Sequence, residues 1–327
     1  MFFINFFGKL MYIQAASCIS AQASFNKGAL TLKNISASKE RLPLVEPDYT
    51  KLVDPKLIRR MSRIIRMGVA TAMAALQDAE LAMPDAILMG TAYGCLDDTG
   101  SFLKKMVENQ EEMLTPTAFI QSTHNTVAAQ IALLLKCHAY NNTYVQRNLS
   151  FQSALLDALL LLQESPARRV LAGAADECTN YSEAVLRRFG VYKTLPPGEG
   201  AACFVLGTEK TSGSLARLNG VEWLASGRPG AVADALHALM ERTGERPDLL
   251  LSASDDQGPA GICSVNYTRY TGQYPTSIGF ACWLAAVLLS GVPVKPEELV
   301  FPATVRRVWL PATDENGQLA IIRLEAC

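Results

Sequence analysis

VQRNLSFQSALLDA, residues 145–158, joins a β-rich run to a segment whose apolar residues recur three and four apart. A strand that runs through a short turn into a helix is where many α/β enzymes mount a nucleophile. The only candidate in this turn is Ser150, and a serine hydroxyl attacks only with help from a base. The chain has three histidines. His124 falls in a helix-capping segment, His138 in a turn after a helix, and His237 within a helix of the second half. None is expected on a strand-end loop, where catalytic groups collect. A GxSxG elbow is also absent, because Asn148-Leu149 precede Ser150 and Phe151-Gln152 follow it.

The 327 residues suit one large domain or two coupled halves. Hydrophobic residues make up 49% of the chain and charged ones 19%, and Lys+Arg 30 against Asp+Glu 31 leaves a formal charge of −1. That balance excludes a disordered chain and gives no support for nucleic-acid binding. Eight cysteines, at 18, 95, 137, 178, 203, 263, 282 and 327, form no CxxC pair and no Cys/His cluster. No metal and no cofactor are therefore expected, and the usage suits reduced thiols in a cytoplasmic protein. Cys263 is the most loop-like of them and reads as a small, half-buried residue. The opening MFFINFF is too short for a signal h-region. Residues 1–10 are read as an extension outside the fold, with translation starting at Met11 and MYIQAASCIS as the first strand. No apolar run reaches about 18 residues, so no membrane span is expected.

Outward from the opening stretch, Leu57, Ile58, Met61, Ile64, Ile65, Val69 and Met73 set one apolar face of a helix between Asp54 and Asp78. Arg59, Arg60, Arg63 and Arg66 lie on its other face and read as solvated. A buried strand is expected over 85–94, a helix over 97–110 and a buried apolar helix over 122–136. NTYVQRN then reads as a strand, SALLDALLLLQ as a helix and RRVLAGAAD as a strand. This βαβα order points to an α/β layered fold. After the turn and strand of LPPGEGAACFVLG, the polar stretch 208–214 separates the halves. Strands are expected at 215–225, 248–253 and 319–325, and helices at 231–242 and 276–290.

Several of these segments together resemble a family. TPTAFIQSTHNTVAAQIAL, NTYVQRNLS, VLAGAADE and GEGAACFVLG are similar, in order and spacing, to the β-ketoacyl-acyl-carrier-protein synthases of the thiolase fold. GTAYGCLDD and RRMSRIIRMGVATAMAALQDAEL fit as well. The resemblance implies an α/β, thiolase-like fold of two similar βαβαβ halves in a layered αβαβα domain, with halves at 11–210 and 211–327. It also implies dimerisation through the strand before the nucleophile turn. The family's nucleophile is a cysteine at the amino end of a buried helix, where free N–H groups favour a thiolate. Its TAC aligns without a gap to Asn148-Leu149-Ser150, so serine stands in the cysteine position. A register shift would place Gln152 there instead, and without it Gln152 is expected to hydrogen-bond in the vestigial pocket.

The family's two catalytic histidines fall on Ser254, in SASDDQ, and on Gln273, in TGQ; its lysine falls on Thr268, or on Arg269 if the alignment slips. Neither serine nor glutamine can act as an imidazole. PATDENGQ stands where a glycine-rich GFGG loop is expected. This pattern resembles the chain-length factors, which lack the cysteine and pair with an active ketosynthase. The resemblance implies such a subunit in fatty-acid or polyketide-type biosynthesis, of the small type found in bacterial aryl-polyene or flexirubin-like pathways. Its partners would be the active ketosynthase, or a second copy of itself, and an acyl carrier protein. Thr99, Phe102 and Met106 share one face of helix 97–110 and are expected to gate the acyl tunnel at the dimer interface. Two other readings stand beside this one: a thiolase-fold acyltransferase or condensing enzyme using Ser150, and a homodimeric acyl-binding scaffold.

Overall fold

The computed structural model describes residues 10–25, 28–38, 40–225, 231–255, 258–297 and 301–327. Of the expected extension, only Leu10 lies within the described residues. The first half runs β1 (Tyr12–Ile19), β2 (Leu30–Leu32), α1 (Pro55–Ile58), α2 (Arg63–Asp78), β3 (Ala86–Gly90), α3 (Leu96–Glu108), α4 (Pro116–Gln121), α5 (Thr126–Leu135), β4 (Tyr140–Tyr144), α6 (Ser150–Glu164), β5 (Val170–Asp176), α7 (Asn180–Arg188) and β6 (Gly200–Gly207). The second runs β7 (Ala216–Ala225), α8 (Ala231–Thr243), β8 (Leu249–Ser252), β9 (Cys263–Asn266), α9 (Thr268–Thr271), α10 (Ile278–Leu289), β10 (Val294–Pro296), β11 (Arg307–Thr313) and β12 (Gln318–Glu325).

Ten strands form one mixed sheet in the order β4-β3-β5-β6-β1-β7-β12-β11-β8-β9. Read inward from either edge, each half presents its five strands in the same sequence: third, second, fourth, fifth, first. In each half the fifth strand, β6 or β12, runs antiparallel to its neighbours, and the three outer strands are parallel. The half-sheets meet through only two residue pairs, Tyr12–Arg217 and Ile13–Ala216. The layered, internally repeated α/β fold is thus the thiolase-like one.

Core composition explains the layers. α10 buries ten of its residues, including Phe280, Trp283 and Leu284, which suits a helix that is apolar all round. It shares one core cluster with α6 and with residues of both half-sheets, among them Ile13, Leu88, Val308 and Ile322. α2 packs on the opposite face of the first half-sheet through Ile64, Ile65, Val69 and Ala72. α8 covers the second half-sheet through Leu236 and Leu239 against Leu250 and Ile321.

Four expectations need correction. The helix expected between Asp54 and Asp78 is broken at Arg59–Ser62, and Leu57 is exposed. Of its arginines, Arg59 and Arg60 are solvated, but Arg63 pairs with Glu46 at 3.0 Å and Glu199 at 2.7 Å, and Arg66 lies over the Tyr49 ring at 5.8 Å. The helix expected over 122–136 begins at Thr126 and buries a single face, leaving Leu133 exposed. The strand expected across NTYVQRN ends at Tyr144, because Arg147 takes a φ of 48° and turns the chain away from the sheet. β11 is an additional strand between the expected elements, and it contains Pro311, a residue that sheets confine to edges and unpaired positions. Pro311 is tolerated because β8 pairs only with Val308 and Trp309, which leaves the far end of β11 without that neighbour.

The end of β3 and the start of α6 touch backbone to backbone. A Cβ on Gly90 would lie 2.6 Å from the Ser150 carbonyl carbon and 2.7 Å from the Phe151 nitrogen. Gly90→Ala is therefore expected to push α6 off the sheet and to destabilise the fold by about 1–3 kcal/mol, measured by urea unfolding. Unchanged stability would contradict this contact.

Candidate functional site

A cavity of about 650 Å³ opens where the two halves face each other. Tyr93, Arg147 and Asn148 form its first-half wall. Ser254, Tyr267, Thr268, Gln273 and Tyr274 form the second-half wall. Pro311 and Thr313 of β11 and Glu315 of the β11–β12 connection close one side, and Leu186, Phe189, Val191 and Tyr192 around the end of α7 close another. The PATDENGQ segment thus occupies a wall of this cavity.

Three of the residues singled out from the sequence meet here: Ser254, Thr268 and Gln273. Thr268 is buried, and its hydroxyl donates to the Asn266 side chain. Gln273 is fixed through its backbone, donating to Pro196 O at 2.8 Å and accepting from Gly198 N at 3.1 Å. That crossing needs glycine, because Gly272 has a φ of 72° and a Cβ there would meet Pro196 O at 2.9 Å. Arg269, the alternative to Thr268, pairs instead with Asp255 at 3.0 Å on the surface.

Ser150 is not in the cavity wall. It is fully buried as the first residue of α6, where its hydroxyl donates to Arg147 O and accepts from Gln146 N, both at 2.8 Å. Its role in the turn is to tie the elbow together. The elbow presents Arg147 and Asn148 to the cavity, and sequence reasoning missed Arg147. Ser150, Ala154 and Ala158 recur every four residues and all are buried, which places Ser150 on the inner stripe of α6. Gln152 is likewise fully buried and outside the cavity lining, and among the described residues neither of its amide atoms has a hydrogen-bond partner. The expected hydrogen bonding of Gln152 in the pocket is therefore corrected.

Thr99, Phe102 and Met106 are half-buried and do not line the cavity of the single chain. Phe102 packs on Phe119 of α4, with centroids 5.6 Å apart and planes tilted by 58°. Thr99 donates to Cys95 O at 2.8 Å and to Ser122 O at 3.0 Å. His124, His138 and His237 are all exposed, and none lines the cavity.

Residues 36–185 match the family described as beta-ketoacyl synthase, N-terminal domain. That match covers a little under half of the chain. No curated protein matches the chain. Among solved structures, "The ishigamide ketosynthase/chain length factor" is similar with a TM-score of 0.78 at 15% identity, covering 98% of this chain and 99% of that one. A β-ketoacyl synthase from Burkholderia phymatum STM815 gives 0.71 at 14% identity, with 98% and 100% covered. A ketosynthase (ApeO) in complex with its chain length factor (ApeC) from Xenorhabdus doucetiae gives 0.69 at 14% identity, with 98% of each chain covered. At these identities the likeness shows the shared fold.

Thiol chemistry of the ketosynthase kind needs a thiolate, and burial opposes one at every cysteine whose titration is shifted. Burial pushes the Cys178 thiol up to about 11 and the Cys203 thiol up to about 12, and it also raises Cys18, Cys95 and Cys282. Behind the cavity wall, Asp176 is buried at the end of β5. Burial raises its carboxyl, opposed by hydrogen bonds from the Thr276 and Thr91 hydroxyls and from the Ala92 and Tyr93 backbone.

Its neighbour Glu177 borders a separate groove beside Arg41, Arg63 and Asp97. Burial pushes its carboxyl up to about 7, opposed by a 3.0 Å hydrogen bond from Asp97 N. Since its folded value lies above the ordinary 4.5, the folded state binds this proton more tightly than the unfolded state. That contribution is fully present below about pH 4.5 and is lost as pH rises towards 7. Glu177→Gln is expected to be more stable than the parent at pH 8 by roughly 1–3 kcal/mol, with the advantage disappearing near pH 4.5. Denaturant unfolding across that range measures it; a pH-independent difference would contradict the reading.

Proposed function

We propose that this chain is the non-catalytic, chain-length-factor-like subunit of a cytoplasmic ketosynthase pair working on carrier-bound acyl chains of fatty-acid or polyketide type. The observation that carries this reading is the cavity itself. It gathers Ser254, Thr268 and Gln273 on one wall and Arg147 on the other, with no histidine and no cysteine lining it. Such a site can hold a chain but offers no thiolate to load and no imidazole to polarise a thioester. Among the described residues no helix is long and apolar enough to cross a membrane.

The surface supports pairing. β4 is the outermost strand of its half-sheet, and an unpaired strand edge is a template for another chain. Nearby, Leu133 of α5, Phe119 and Ile120 of α4, and Leu103 and Val107 of α3 are exposed. An interface over this region would cover the Thr99–Phe102–Met106 face and bring it to the end of a partner's acyl tunnel. The acyltransferase reading through Ser150 is weakened by the burial of its hydroxyl and by the two backbone hydrogen bonds that hold it. A homodimeric scaffold would use the same edge, and light scattering with and without a cognate ketosynthase separates the two. A 1:1 heterodimer is expected, and a chain indifferent to that partner would sink the proposal.

Two variants probe the chemistry. Ser150→Cys is expected to gain no mass on exposure to an acyl-carrier thioester, because the new thiol would be buried and would have no histidine beside it; an acylated protein would restore the enzyme reading. Phe102→Ala in the reconstituted pair is expected to lengthen the product by two or more carbons. An ordinary packing role would instead lower stability by up to about 3 kcal/mol and leave the product distribution unchanged in mass spectrometry.

A further inference from the structure

We propose that the central cavity binds an aliphatic carboxylate, with Arg147 as the anchor for its headgroup and Glu315 as a built-in competitor that holds the anchor while the site is empty. This goes beyond the heterodimer reading and stands apart from it, because it concerns what enters this chain's own cavity.

The anchor is positioned by the backbone. Arg147 sits at a φ of 48°, and the Ser150 hydroxyl holds the turn by accepting from Gln146 N and donating to Arg147 O. The guanidinium therefore starts from a fixed point on the cavity wall. It pairs with Glu315, and both side chains are more than half exposed, at 62% and 56%. An ion pair held in water is weak, whereas a carboxylate presented from a drier pocket can take both prongs of the guanidinium. Glu315 can leave without unfolding its loop, because Asp314 holds that turn by accepting from Asn316 N at 2.9 Å and Gln318 N at 2.7 Å.

The remaining lining selects the rest of the ligand. Leu186, Val191, Tyr192, Ile278 and Pro311 offer an apolar wall, and Ser254 and Gln273 offer neutral polar groups. Among the described residues Glu315 is the one acidic side chain in the lining, and it already pairs with Arg147, so the charge left for a ligand to satisfy when Glu315 withdraws is the guanidinium's. The volume of about 650 Å³ lies within the range of roughly 300–1,000 Å³ used by small-molecule sites.

Isothermal titration calorimetry with dodecanoate, 1-dodecanol and dodecanoyl-pantetheine tests the proposal on the intact chain. Dodecanoate is expected to bind about tenfold tighter than the alcohol or the thioester. Arg147→Gln should remove that preference while leaving alcohol binding unchanged, and Arg147→Lys should retain part of it. Glu315→Gln should tighten dodecanoate binding several-fold by freeing the anchor. Equal affinity for the three ligands, an unaltered preference in a folded Arg147→Gln variant, or weaker dodecanoate binding in Glu315→Gln would each overturn the proposal. Light scattering of Arg147→Gln with a cognate ketosynthase reads the heterodimer separately, so failure of one idea is distinguishable from failure of the other.

Discussion

The Asp176 carboxylate is the constraint on which the site depends. It closes β5, a strand buried along its whole length, and accepts from the Thr91 hydroxyl at 2.8 Å, Ala92 N at 2.9 Å, Tyr93 N at 3.3 Å and the Thr276 hydroxyl at 2.7 Å. The first three donors belong to the connection between β3 and α3. The fourth belongs to the turn that starts α10, in the other half of the chain. One side chain thus sets the position of Tyr93 on one wall of the cavity relative to Gln273 and Tyr274 on the other. Four converging donors favour the carboxylate, and their hydrogen bonds offset part of its desolvation, although burial still leaves the carboxyl raised. The network serves the architecture irrespective of any chemistry in the cavity.

A second set of contacts fixes the elbow. Gln146 donates to Gln318 at 3.2 Å, Arg147 pairs with Glu315, and Asn148 donates to Thr313 O at 3.2 Å. Three consecutive residues are therefore bound to the β11–β12 hairpin. In a glycine-rich loop the backbone itself approaches a ligand, but PATDENGQ brings side chains to the same place and uses them to hold the elbow. The cavity wall is correspondingly built from side-chain contacts between the halves.

Much of the fold was legible because buried strands and apolar helices leave strong patterns. DAILMG, VLAGAAD and IGFACWLAAVLL have few polar residues to confuse their periods, and each forms the expected kind of element. Of the second-half positions picked out from the sequence, Ser254, Thr268 and Gln273 all line the cavity. The site was misread at the elbow for a physical reason. An ungapped alignment counts residues, whereas a left-handed residue at Arg147 and a short 3-10 turn over Arg147–Leu149 decide which side chain faces the cavity. Periodicity does not report a positive φ in a residue other than glycine, asparagine or aspartate. Likewise, the apolar run of 122–136 gave no hint that Leu133 would remain outside, because a run of leucines looks the same whether it meets a core or an interface.

The elbow and the sheet edge are also joined covalently. Tyr144 ends β4, the outermost strand, and only Val145 and Gln146 separate it from Arg147. Tyr144 in turn donates to Asp157 of α6 at 2.8 Å, and Ser153 of α6 donates to the Gln146 side chain at 2.7 Å. The edge strand, the elbow and the first turns of α6 are therefore tied to one another. A partner chain added along β4 would order that unit on its open side, while the hairpin contacts order it on the other. Pairing at the edge and occupancy of the cavity act on the same few residues, so the elbow is the place in this fold where two otherwise separate binding events would be felt together.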